Sequence, residues 1–205
     1  MNEPLQLSED QCDCLQEIVN VAMGQAGDSL ARLLGVFVTL SVPKIGILSP
    51  ADVRRLVGQG CVSATRQAFQ DGRGKDGLRG EALIVFGDSS FRELADLLDY
   101  DEDMEGAAEH ELLLDISNVL NGACLTGIAD QLGEELFYSA PSILGEGKRV
   151  AATLEQDRLQ WERALSVQIN YRLENRSFHC DLLLLMPDSA ISLLAGKLDQ
   201  QLEDL

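Results

Sequence analysis

A chain of 205 residues, 45% of them hydrophobic, is long enough for one sizeable domain or two small ones sharing a core, and its composition is not that of a disordered protein. Its 34 acidic against 16 basic residues leave a formal charge of −18, which argues against nucleic acid or an anionic membrane surface as the main partner, since neither would be neutralised. The start Met1-Asn2-Glu3-Pro4 lacks the basic beginning and apolar core of a signal peptide, and no uninterrupted apolar run approaches the roughly 18 to 20 residues of a membrane span, so a cytoplasmic location is expected.

Ser8 is placed to cap a long helix from about Glu9 to Leu34, because serine is a favoured N-cap and Glu9, Asp10 and Asp13 suit the positive end of the helix dipole. Leu15, Ile18, Val19, Ala22, Ala26, Leu30, Leu33 and Leu34 follow the helical period and face a core, and Gly35 stops the helix. Val36 to Leu40 reads as a strand followed by a turn at Pro43, and a short helix is expected from about Ser49 to Leu56. Two strands, about Cys61 to Phe69 and Leu78 to Phe86, flank the turn Gln70-Asp71-Gly72-Arg73-Gly74, and Asp88 or Ser89 opens a helix through about Leu98.

The same order then returns. After an acidic linker, Asp101 to Glu105, come a long helix from about Ala107 to Leu132 stopped by Gly133, a strand around Leu136 to Ala140, and Pro141. An amphipathic, charged stretch runs from about Arg149 to Arg163, strands Ala164 to Leu173 and Phe178 to Met186 face each other across Glu174 to Ser177, and a helix from about Asp188 to Leu202 closes the half. The segment Ala82 to Ser89 resembles Leu182 to Ser189 at an offset of 100. The chain therefore reads as a duplication. We expect a mixed α/β (α+β) fold in a single domain over 1–205, built from two α-β-β-β-α repeats at about 1–103 and 104–205, a monomer with an internal pseudo-twofold.

Five cysteines, odd in number and without a C-x-x-C pair, are read as reduced thiols, with only His110 and His179 to help them hold a metal. Cys12 and Cys14 lie about 200° apart around a helix and do not chelate together easily. Trp161 and Phe178 are assigned to a core. Gly72-Arg73-Gly74 lacks the context of a phosphate loop, and Asp101-Glu102-Asp103 reads as a solvated linker rather than a calcium loop.

One spacing stands out within the duplication. Asp13, Glu17, Asn20 and Pro43 follow Asp-x3-Glu-x2-Asn-x22-Pro, and Glu111, Asp115, Asn118 and Pro141 repeat it 98 residues later. Steps of four and three residues turn a helix by about 400° and 300°, so the three polar side chains of each copy share one solvent face. A four-position match arises by chance in roughly one chain in a few hundred of this length, and the second copy makes coincidence rarer. Asn is a mediocre mid-helix residue, and Gly24 and Gly122, four residues after each Asn, cost about 1 kcal/mol apiece against Ala. Such a glycine leaves the face bare for a partner's close approach; the alternative is tight packing of the two long helices.

This pattern, the run Gly24-Gln25-Ala26 after it and the doubled architecture resemble the CheC/CheX/FliY family of chemotaxis phosphatases over nearly the whole chain, and two copies on one chain resemble its CheC branch most. The resemblance implies the CheC-like duplicated fold, with the long motif helices on the sheet surface. It also implies dephosphorylation of the aspartyl phosphate of a CheY-like response regulator. Glu17 and Asn20 become the catalytic pair of the first site and Asp115 and Asn118 that of the second, with Asp13, Pro43, Glu111 and Pro141 flanking them. No cofactor is expected on this chain, Mg2+ belonging to the partner's phosphorylation site.

A carboxamide such as that of Asn20 both donates to and accepts from a water, so it orients the nucleophile, while Glu17 would pair with a lysine of the regulator. Asp115 stands where the family has glutamate, its reach shorter by about 1.3 to 1.5 Å, which ranks the second site below the first. Two further readings are a non-catalytic binding module for a receiver domain or a CheD-type adaptor, and a structural role in the flagellar switch as in FliY-type proteins. The last is set back because the two repeats fill the 205 residues.

Overall fold

The computed structural model describes residues 7–57, 63–87, 90–98, 107–146 and 164–203; the linker Asp101 to Glu105, the stretch Arg149 to Arg163 with Trp161, and Cys61 lie outside them. Ser8 opens α1 (Glu9–Leu34) with a capping box: its hydroxyl accepts the Gln11 N–H at 3.1 Å, and the Gln11 side chain accepts the Ser8 N–H at 2.9 Å. Gly35 ends the helix in the left-handed region at φ +66°, a conformation that costs glycine nothing. There follow β1 (Val38–Leu40), β2 (Lys44–Leu48), α2 (Pro50–Val57), β3 (Ser63–Gln70), β4 (Arg79–Phe86) and α3 (Ser90–Leu97). The second half contributes α4 (Ala107–Leu132), β5 (Phe137–Tyr138), β6 (Ser142–Glu146), β7 (Ala164–Leu173), β8 (His179–Pro187) and α5 (Asp188–Glu203).

Each half thus carries four strands where three were expected, because the chain after each motif proline resumes as a strand rather than remaining a turn. Lys44–Leu48 and Ser142–Glu146 are five residues long with a glycine inside, so their local strand signal is weak. What makes them strands is a partner from the other half of the chain. β1 and β2 both pair with β7, and β5 and β6 both pair with β3. The result is one eight-stranded sheet in the order β1-β7-β8-β4-β3-β5, with β2 beside β7 and β6 beside β3.

At the centre β4 and β8 pair antiparallel, and Leu83 lies opposite Leu183, its own counterpart at an offset of 100. The pseudo-twofold passes between them. Ala82 to Phe86 and Leu182 to Met186 are buried without interruption because both faces of the central strands are covered. α1, α3, α4 and α5 cover one face over the larger core, and α2 covers the other, where Val53 joins Leu83, Val85, Leu183 and Leu185.

α4 is long and apolar enough by composition to cross a membrane, yet 61% of its apolar window is buried inside the fold, where it packs against α1. The two long helices touch at Gly127, where a Cβ would lie 2.9 Å from the Cα of Ala22. That close approach belongs to Gly127 and not to Gly24 or Gly122. Phe178 is in the core, and burial pushes the Cys124 thiol up to about 12 and raises Cys180 as well, so both are protonated thiols.

Candidate functional site

Burial of Leu15, Ile18, Val19, Ala22 and Met23 fixes the rotation of α1 about its axis. Asp13 and Glu17 are left exposed, and Asn20 is half-buried at the margin of the same face. Glu17 and Asn20 stand one turn apart, about 4.5 Å along the helix. Among the described residues none of the three makes a side-chain hydrogen bond or ion pair, so their polar atoms are offered to solvent. One turn further, nothing lies within 4 Å of the place a Cβ on Gly24 would take.

Pro43 is not on this face. It is buried in the break between β1 and β2, where a residue without an N–H suits an interrupted ladder. Ser41 pins that break to the other half: its N–H donates to the Asn170 carbonyl at 3.1 Å, and its Oγ accepts the Asn170 N–H at 3.1 Å. Ser139 pins the break at Pro141 in the same way, donating to the Ala68 carbonyl at 3.0 Å and accepting the Ala68 N–H at 3.2 Å. Each motif therefore joins an exposed helix face to a kinked edge strand held by the opposite half. The two serines, two residues before each proline, were not singled out from the sequence, although aligning the halves at an offset of 98 superposes them.

On α4, Glu111, Asp115 and Asn118 are all exposed, and among the described residues they too lack side-chain partners. Gly122 differs from Gly24: it is half-buried, and the Tyr138 hydroxyl lies 3.9 Å from the position of its Cβ. Beneath the stripe, Ser117 Oγ and Thr65 Oγ1 are 2.7 Å apart, and the Ser117 hydroxyl is also 2.6 Å from the Leu113 carbonyl. The Gln67 amide donates to the Ser139 carbonyl at 2.6 Å, while both polar ends of the fully buried Asn121 lack a partner. Tyr138 and this polar seam were missed from the sequence. The available signal was Ser117 and Asn121 at i and i+4 on an otherwise apolar stripe.

Neither stripe could hold a phosphate by itself. α1 carries one basic residue, Arg32, ion-paired to Asp28 at 2.9 Å, and α4 carries no lysine or arginine. Among the described residues no group of three or more His, Cys, Asp or Glu converges as a metal site requires. A free amide beside a free carboxylate can orient a water and engage a cation.

No family model matches the chain. It is 28% identical over 147 residues, 67% of each chain, to the CheY-P phosphatase CheC of Bacillus subtilis (strain 168). Among solved structures, Thermotoga maritima FliY superposes with a TM-score of 0.71 at 16% identity, covering 96% of this chain and 99% of that one. The FliM middle domain from H. pylori superposes with a TM-score of 0.64 at 11% identity, covering 93% and 99%. The fold expected from the doubled motif is the fold found.

Proposed function

We propose that this CheC-like member of the chemotaxis family removes the phosphoryl group from the aspartyl phosphate of a CheY-like response regulator. The observation that carries the reading is the repeated, solvent-facing and unpartnered pairing of an acid with an amide one turn apart: Glu17 with Asn20, and Asp115 with Asn118. An aspartyl phosphate is an activated acyl phosphate beside its own metal site, so the contribution asked of this chain is positioning rather than strong acid–base chemistry. Asn20 accepts from and donates to the attacking water and so fixes it in line with the phosphorus, without changing charge at neutral pH. Glu17 pairs with a lysine next to the phosphoryl group, which anchors α1 and loosens that lysine's hold on the phosphate. Asp115 and Asn118 repeat the arrangement with a shorter acid.

The likeness to a CheY-P phosphatase supports the reading. The likeness to FliM middle domains favours a second one, a non-catalytic module that binds a receiver domain or a CheD-type adaptor. Phosphate release from phosphorylated receiver domains of the same organism separates the two. We expect stimulated hydrolysis that falls at least tenfold in Asn20→Ala with Asn118→Ala; an unchanged rate would sink the phosphatase reading. A complex that forms without any acceleration would instead support the binding module.

A further inference from the structure

We propose that Tyr138 shields the second motif face, making it the more selective of the two sites; the claim of selectivity rests on the reading of Asn118 as the water-orienting group there. Leu40 and Tyr138 occupy equivalent places, for Leu40 pairs with Tyr171 and Tyr138 with Phe69, the counterpart of Tyr171. Their side chains end up in different positions. The methyl groups of Leu40 lie 3.2 Å from where a Cβ on Gly27 would stand, so in the first half this side chain fills the space that a small residue leaves beside the helix.

In the second half the position of Gly27 is taken by Leu125, which is buried and lines the same apolar cavity as Phe69. That space is filled from the helix side, and the larger Tyr138 cannot enter it. Tyr138 is instead 42% exposed, with its hydroxyl 3.9 Å from the Cβ position of Gly122, one turn beyond Asn118. The equivalent surface beside Gly24 is open. A glycine with a leucine in one half, against a leucine with a tyrosine in the other, has moved bulk from inside the fold onto the motif face. A partner lying flat along Asn20 and Gly24 would meet the ring if it docked the same way on Asn118 and Gly122.

Two measurements test this, one of them independent of any activity. Gly24→Cys and Gly122→Cys give thiols whose alkylation by a bulky maleimide is followed by mass spectrometry of peptides cut after glutamate, where the cut at Glu17 separates position 24 from the native Cys12 and Cys14. Labelling should be about fivefold slower at position 122 and come within twofold of position 24 once Tyr138→Ala is added. With Asn20→Ala silencing the first site, Tyr138→Ala should raise the kcat/KM for receiver dephosphorylation about three- to tenfold, mainly through KM, while Tyr138→Phe stays within twofold. Equal labelling at both positions, or a fall in second-site kcat/KM on Tyr138→Ala, would overturn the shielding role alone. Slow labelling at 122 with no phosphate release from the wild-type chain would overturn the functional reading, and the selectivity claim with it.

Discussion

The two motif helices present nearly the same outer face and rest on different inner ones. Under α1, Val19 and Met23 are buried, and Val19 lines one cavity with Val167 of the second half's hairpin. At the equivalent places under α4 are Ser117 and Asn121, with Ser117 against Thr65 of the first half's hairpin, where Gln67 is buried as well. All four are essentially inaccessible. The exposed spacing of acid, amide and proline was kept through the duplication while the packing beneath it changed from hydrocarbon to hydroxyl and amide. The outer stripe is thus specified separately from the seam that carries it, and a polar seam is the more demanding of the two, since each buried polar atom needs a partner.

The most severe way to break this comparison is to exchange the seams. Met23→Asn puts an amide into hydrocarbon and removes a packed side chain, and should cost about 3 kcal/mol of unfolding free energy. For a chain of this size that is roughly 6 to 12 °C in Tm. Asn121→Met should do the reverse on a smaller scale, neutral to about 1 kcal/mol stabilising, because two buried and unpartnered polar ends are removed. Denaturant unfolding of both variants measures the difference; equal losses would mean that Asn121 is as well satisfied as Met23 is well packed.

How far the sequence carries follows the same division between local and non-local causes. Ser8, Gly35 and Gly133 mark helix ends by local chemistry, so α1 and α4 are legible to the residue, as is the exposed stripe, which needs only helical geometry. The hairpins β3–β4 and β7–β8 are legible from their apolar runs. β2 and β6 are not, because a short edge strand exists only through its partner, and that partner is 120 residues away for Gly46 and Ser166. The side-chain position of Tyr138 is hidden for a like reason: it depends on Leu125, a residue whose own pattern says only that it is buried.

The hairpin turns offer the next contrast. In the first half Asp71 is 1% exposed and ion-paired to Arg73 at 2.6 Å, and Arg73 and Lys197 both reach Glu134, at 3.0 and 2.7 Å. In the second, Arg176 joins Glu93 and the 64%-exposed Asp96 at the surface. Burial alone would raise Asp71, but hydrogen bonds from the Arg73 side chain and from the Arg73 and Leu78 N–H groups hold it below the usual carboxylate range. Asp71→Asn should therefore cost about 2 kcal/mol, and Asp96→Asn less than about 0.5 kcal/mol.

The pH dependence has a definite sign. A depressed carboxylate stabilises fully above its unfolded value, near the ordinary 3.8 for Asp71, and the contribution is lost as pH falls through the lower folded value. Glu134, lowered first by its hydrogen bond from Lys197, behaves alike. Tm of the wild type should decline below about pH 4, and Asp71→Asn should flatten that decline.

The serine clamps should behave alike in the two halves, and so bound the asymmetry. Ser41→Ala and Ser139→Ala each remove one hydroxyl acceptor from a backbone N–H, at 3.1 and 3.2 Å, and should each cost about 1 kcal/mol. Ser139→Ala also removes the donation of that hydroxyl to the Ala140 carbonyl at 3.1 Å, so the second clamp should lose slightly more, while the Gln67 bond to the Ser139 backbone carbonyl at 2.6 Å is kept.

The smallest effect bears on the acids. In an Asn20→Ala background, Asp115→Glu restores the reach of the first site and should raise second-site kcat/KM about threefold, equivalent to about 0.6 kcal/mol. Glu17→Asp in an Asn118→Ala background should lower the first site by a similar factor. Both substitutions lie on exposed, unpartnered positions of a capped or buried helix, so neither should move Tm, and a change in rate reads directly on the docking face. If Glu17→Asp costs activity but Asp115→Glu restores none, the shorter acid is not what limits the second site. Tyr138, whose hydroxyl lies beside Gly122, is then the next difference to remove, and combining Asp115→Glu with Tyr138→Ala should recover the threefold that the acid alone did not.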